Sequence, residues 1–89
     1  MKESILQGRI RAYLINNGWF VVKLINCSKP GMPDLLCIKD GRVVFFEVKY
    51  ANGKATQLQL HTIETLRGAG VEAHVVWGLD EVKSIISYT

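Results

Sequence analysis

Residues 34–50 read DLLCIKDGRVVFFEVKY, and this stretch decides the fold. Two β-rich runs, 34–39 and 42–50, flank Asp40-Gly41. That dipeptide is a strong hairpin signal, because a two-residue turn of the matching twist needs positive φ at its central positions. The turn sets the register. With Lys39 opposite Arg42, Asp34 falls opposite Glu47. Opposed residues on an antiparallel ladder share a face, their Cβ atoms ~4.5–5.5 Å apart. Lys49 lies two positions beyond Glu47 and therefore on the same face. Unless a bulge shifts the ladder, the hairpin gathers two carboxylates and an ammonium at its open end.

Like charges in direct opposition are unfavourable until something neutralises them. Lys49 can do so as a structural ion pair. A divalent cation can do so as well, since hard oxygen ligands suit Mg²⁺ or Mn²⁺. Pro33 places Asp34 at a loop edge, where its face is open to such an ion.

Outward from the hairpin, the pattern continues in both directions. Leu6, Ile10, Tyr13 and Leu14 form the apolar stripe of an amphipathic helix predicted over residues 2–17. Asn17-Gly18 ends it, glycine being the natural left-handed residue past a helix C-terminus. Residues 19–26, WFVVKLIN, are apolar on nearly both faces and read as a central strand. Residues 27–33, with Pro30, Gly31 and Pro33, form a loop. Downstream, Thr56 opens a helix that reaches about Ala69 and stops at Gly70. A strand over 71–77 follows, and then a short helix capped by Asp80 with Val82, Ile85 and Ile86 inward. The order is αβββαβα, a mixed α/β sandwich with helices packed on a small sheet.

Length and composition agree with one such domain over residues 1–89. The chain is 48% hydrophobic with a mean hydropathy of +0.13, which excludes disorder as its main state. No apolar run approaches the ~18 residues of a membrane span. Cys27 and Cys37 are too few for a disulfide scaffold and lack zinc-site spacing, so the expectation is a reduced, cytoplasmic chain with free thiols. Residues 1–33 carry Lys2, Arg9, Arg11, Lys23 and Lys29 against Glu3, a net +4, whereas residues 34–89 sum to −1. A basic first third suits an anionic partner such as nucleic acid, and it equally suits a merely lysine-rich surface.

Pro33-Asp34, twelve intervening residues, then Glu47-Val48-Lys49 resembles the PD-(D/E)XK nuclease signature. A wider set resembles the VRR-NUC family, the virus-type replication-repair nucleases, over nearly the whole chain. It comprises Glu3, Gly31-Met32-Pro33-Asp34, Glu47-Val48-Lys49, Thr56-x-x-Gln59 and Gly70, in that order. Thr62 departs from the pattern, since many relatives carry an aromatic residue there, and the departure concerns packing.

The resemblance implies a restriction-endonuclease-like αβββαβ core and a DNA endonuclease that uses Mg²⁺ or Mn²⁺. It assigns the metal to Asp34, Glu47 and the Val48 carbonyl. Lys49 orients or activates the attacking water, and in-line attack leaves 5′-phosphate and 3′-hydroxyl ends. Glu3 reaches the metal site directly or through water in relatives, although a first-turn glutamate also suits the helix dipole. Gln59 lies at the active site by resemblance, yet Thr56-x-x-Gln59 also reads as a capping box. Ser28, Lys29, Lys54, Arg9 and Arg11 are candidate DNA contacts or ordinary surface polars. His61 and His74, without a spaced partner, read as surface or packing residues, and Trp19 and Trp77, placed in strands, read as core residues more often than as base-stacking platforms. Minimal relatives form homodimers, and a two-fold dimer matches the near two-fold symmetry of a Holliday junction. The alternatives are a flap or single-strand nuclease on the same fold, or a non-catalytic DNA-binding module.

Overall fold

A computed structural model describes residues 2–87 and orders them as α1 (Glu3–Asn16), β1 (Phe20–Lys23), β2 (Leu35–Lys39), β3 (Arg42–Val48), α2 (Gln57–Gly68), β4 (Glu72–Val76) and α3 (Leu79–Ser87). This is the αβββαβα order read from the sequence. The strands lie in one sheet in the order β1-β2-β3-β4, antiparallel except for the parallel β3–β4 pair that α2 connects.

The Asp40-Gly41 turn has φ of 50° and 79°, the two positive values that this hairpin type requires. Its ladder carries no bulge. Lys39 faces Arg42 and the pairing runs to Leu35 opposite Phe46. One step further, Asp34 stands across from Glu47, as the turn arithmetic demands.

Alternation along the strands splits the core into two layers. Leu35, Cys37, Val44, Phe46, Val48 and Val76 face α1 and α3, meeting Leu6, Ile10, Leu14 and Val82. Phe45, Ala73 and Val75 face α2, meeting Ile63 and Leu66. Burial of the valine, leucine, isoleucine and phenylalanine side chains among them, each worth roughly 1.5–3 kcal/mol, holds the helices on the sheet.

β1 departs from expectation. It is an edge strand of four residues, not a central one. Val21 packs toward α1, but Phe20, on the other face, remains 65% exposed. The crossover through α2 puts β4 on the far side of β3, so β1 gains no second neighbour, and α2 packs over the opposite half of the sheet. Apolar residues on both faces mark a central strand only when both faces are covered. At the C-terminal end, α3 begins at Leu79, which places Asp80 in its first turn instead of at the cap.

Candidate active site

The site forms where the hairpin opens. The backbone N–H of Leu24 donates to the Asp34 carbonyl at 2.8 Å, continuing the β1–β2 ladder by one rung. Asp34 Oδ2 accepts the Val48 N–H at 2.9 Å. This bond fixes the carboxylate against the end of β3. Upstream, Gly31 has φ +80° and lies flush against α2; a Cβ there would come within 2.7 Å of Leu58 Cγ and 3.1 Å of Thr62 Oγ1. The loop that delivers Asp34 is thus seated on the helix that delivers Gln59. A small residue at 62 leaves room for it.

Glu47 is 2% exposed. Its Oε2 takes the Lys49 ammonium at 3.1 Å and the Gln59 Nε2–H at 3.2 Å, while its Oε1 is buried with no hydrogen-bond partner. Burial and then the charge of Asp34 push its pKa from the ordinary 4.5 up to about 7, against the pull of Lys49; Glu3 adds a smaller push in the same direction. A carboxylate held this way lacks positive charge.

Gln59 does two things at once. Its Oε1 accepts the Thr56 N–H at 2.9 Å and its backbone N–H donates to Thr56 Oγ1 at 3.1 Å, completing the capping box. The amide nitrogen left over by that arrangement is the group that reaches Glu47. The capping and active-site roles of this residue are therefore compatible.

Glu3 stands half-buried in the first turn of α1. Among the described residues no three carboxylate, histidine or cysteine side chains converge into a ready cation cage, so Glu3 does not close a triad with Asp34 and Glu47. The two carboxylates nevertheless fit a hard divalent cation. The unpartnered Oε1 of Glu47 is an oxygen donor already stripped of water, and Asp34 stands opposite it.

The candidate DNA contacts divide by position. Ser28 and Lys29 are exposed on the loop that ends at Asp34, and Lys54 is exposed on the loop that follows Lys49. Arg9 is exposed on α1, whereas Arg11 is half-buried and its Nε has no partner. Cys27 and Cys37 are both free, and burial pushes the Cys37 thiol up to about 12, which removes it from thiolate chemistry. Trp19 is core, but Trp77 is 42% exposed at the end of β4, contrary to its reading as a packing residue. Gln7, 7% exposed and one helical turn after Glu3, is a buried polar group that the apolar stripe of α1 did not single out. The available signal was its four-residue spacing from Glu3.

Three comparisons bear on this geometry. The family model described as "Archaeal holliday junction resolvase (hjc)" matches residues 7–83. A solved structure described as "VRR_NUC domain" is 31% identical, covers 99% of this chain and 97% of its own, and superposes with a TM-score of 0.85. A second, "VRR_NUC domain protein", is 25% identical over 98% of this chain and 86% of its own, with a TM-score of 0.80. The Holliday junction resolvase Hjc of Archaeoglobus fulgidus shares the fold at 18% identity and a TM-score of 0.67, covering 84% of this chain and 67% of its own. Comparison with curated proteins gives no significant match. The sheet with its flanking helices is a restriction-endonuclease-like core.

Proposed function

The chain belongs to the VRR-NUC family of nuclease domains, and from that premise we propose that it is a Mg²⁺- or Mn²⁺-dependent DNA endonuclease that resolves four-way junctions as a homodimer. One observation carries the catalytic reading: a carboxylate buried to 2% exposure, with one oxygen unpartnered, opposite a second carboxylate and beside a lysine. A buried oxygen without a partner calls for a further group, and a divalent cation is one that suits two facing carboxylates.

Asp34, Glu47 and the Val48 carbonyl would hold the cation. When bound, it supplies Lewis-acid polarisation of the phosphate and lowers the pKa of water. The chain's own groups do the rest. The Val48 N–H orients Asp34, and Gln59 together with Lys49 fixes Glu47. The Lys49 ammonium, within reach of the same carboxylate, orients the attacking water and stabilises the negative charge that grows on the phosphoryl oxygens. Ser28, Lys29 and Lys54 lie on the loops that lead into and out of the site, where they can meet backbone phosphates. The junction reading draws on the matching resolvase family. The dimer reading draws on the unpaired edge of β1 and the loop that follows it, where Phe20 and Ile25 are 65% and 76% exposed, apolar area that pairing would cover.

The test is cleavage of four-way, flap and duplex DNA with Mg²⁺ or Mn²⁺ against EDTA, with light scattering for mass. Junction nicking that requires the cation and is lost in Asp34→Ala, Glu47→Ala and Lys49→Ala is expected, with 5′-phosphate ends. Full activity in any of these variants would remove the site assignment. Equal cutting of flaps would remove the junction preference, and a mass near 10.0 kDa would remove the dimer.

A further inference from the structure

Trp77 occupies a place that the mechanism has not used. The parallel β3–β4 register pairs Glu47 with Val75 and Val48 with Val76, and the Lys49 N–H donates to the Val76 carbonyl at 2.9 Å. Continued one step, that register sets Trp77 beside Lys49, on the same face as Glu47. The loop after Lys49 gives independent support. The indole N–H of Trp77 donates to the Gly53 carbonyl at 2.8 Å, and Gly53 lies so close to Lys49 that a Cβ on it would be 3.6 Å from Lys49 Cβ.

The residue is held at two points. Its backbone N–H donates to Glu81 Oε1 at 2.6 Å, and its ring is pinned through Gly53. A buried packing tryptophan would not leave 42% of its surface in solvent. Exposing a large rigid aromatic face costs stability that burial would have supplied, and a pinned ring loses little further freedom when something settles on it. Tyr50, itself 37% exposed, and the exposed Lys54 lie on the loop that follows Lys49 and carries Gly53, the residue that pins the ring. Cations for phosphate next to a flat aromatic for a base are the two halves of a single-strand grip.

We propose that the indole of Trp77 is a stacking surface for a nucleobase adjoining the phosphate that is cut, so that a base unstacked at the branch point is held on it while Lys49 faces the backbone. The proposal rests on the DNA-nuclease reading, and it adds a substrate contact that accounts for a preference for branched over continuous duplex, where bases are already stacked.

The chain has two tryptophans, and Trp19 is buried, so Trp77 can be followed by its own fluorescence. Wild-type protein and Trp77→Phe are titrated with unlabelled single-stranded and four-way DNA, in EDTA and again with Ca²⁺, while anisotropy of labelled DNA reports binding. The wild-type signal minus that of Trp77→Phe isolates Trp77. It is expected to be quenched in step with the anisotropy. Trp77→Phe, which keeps a ring but loses the Gly53 bond, is expected to bind within a few-fold of wild type, and Trp77→Ala roughly 5- to 150-fold more weakly. Binding with unchanged Trp77 emission overturns the proposal. So does Trp77→Phe binding as weakly as Trp77→Ala, since Trp77 would then act only as a strut for the Gly53 loop. Absence of DNA binding in both EDTA and Ca²⁺ overturns the nuclease reading itself and the contact with it.

Discussion

Glu47→Gln should make the metal-free protein more stable at pH 8 and change it far less at pH 5. The Glu47 carboxyl titrates near 7 in the folded chain and near the ordinary 4.5 once unfolded. Between those values the folded state keeps a proton that the unfolded state has released, so unfolding stability falls as pH rises. The stability is fully present below 4.5 and is lost as pH passes through 7. At ~1.4 kcal/mol per pH unit, that amounts to about 3 kcal/mol. Glutamine keeps the shape and removes the ionisation. Lys49, whose side chain is only 14% exposed, loses its anion in the variant, but its pull is already contained in the Glu47 pKa of about 7 and subtracts nothing further.

A gain of about 3 kcal/mol corresponds to a rise in Tm on the order of 15 °C for a domain of this size. Thermal melts at pH 5 and pH 8, with and without Mg²⁺, measure it. Mg²⁺ should raise the wild-type Tm at pH 8, because it binds the folded carboxylates, and should leave Glu47→Gln almost unmoved. A wild-type protein that gains stability from pH 5 to pH 8, or a variant that melts with it at both, would refute the reasoning.

Asp34→Ala should destabilise the metal-free protein by about 1–3 kcal/mol, because it orphans the Val48 N–H, whereas Asp34→Asn retains an acceptor there; urea titration distinguishes them. Gly31→Ala should cost about 1–3 kcal/mol, since φ +80° is strained for alanine and its Cβ would meet Leu58; circular dichroism melts report the loss. Gln59→Glu should preserve the α2 cap, because glutamate serves a capping box equally well, yet abolish cleavage at neutral pH, because it replaces the donor to Glu47 with a third carboxylate. Gln59→Ala should lose both, and comparing helix content with nicking rate separates the two effects.

The hairpin was legible because its turn chemistry is local. Asp40-Gly41 fixes a two-residue connection, and the rest is counting by two, which reaches Asp34 and Glu47 without tertiary information. Gln59 was half legible. The capping box is a spacing rule, but the use of the amide nitrogen left over depends on where α2 lands on the sheet. The edge position of β1 was not legible, since burial of a strand face depends on which helix crosses over it and β1's own residues say nothing of α2. Trp77 was misread for a related reason. An aromatic at the end of a β-rich run is usually packed, and only the parallel register with β3, set by the α2 crossover, shows that it stands beyond the covered part of the sheet.

The two ends of the β2–β3 hairpin treat charge in opposite ways. At the turn end, Arg42 binds both carboxylate oxygens of Glu72 and the carbonyls of Ile85 and Ile86, and it lies over the Trp19 ring. Lys39 donates to the Asn17 carbonyl at 2.7 Å, tying the hairpin to the C-terminal end of α1. Those cations close α1 and α3 onto the sheet, and their partners are complete enough to do so. At the open end, Glu47 is the one carboxylate among the described residues with a buried, unpartnered oxygen. A chain selected for stability alone would place an apolar residue at this position, between the buried Phe46 and Val48. The stabilising contacts at the turn end hold the strands in the register that forces Asp34 and Glu47 together, so the hairpin's closed end keeps the strain at its open end in place.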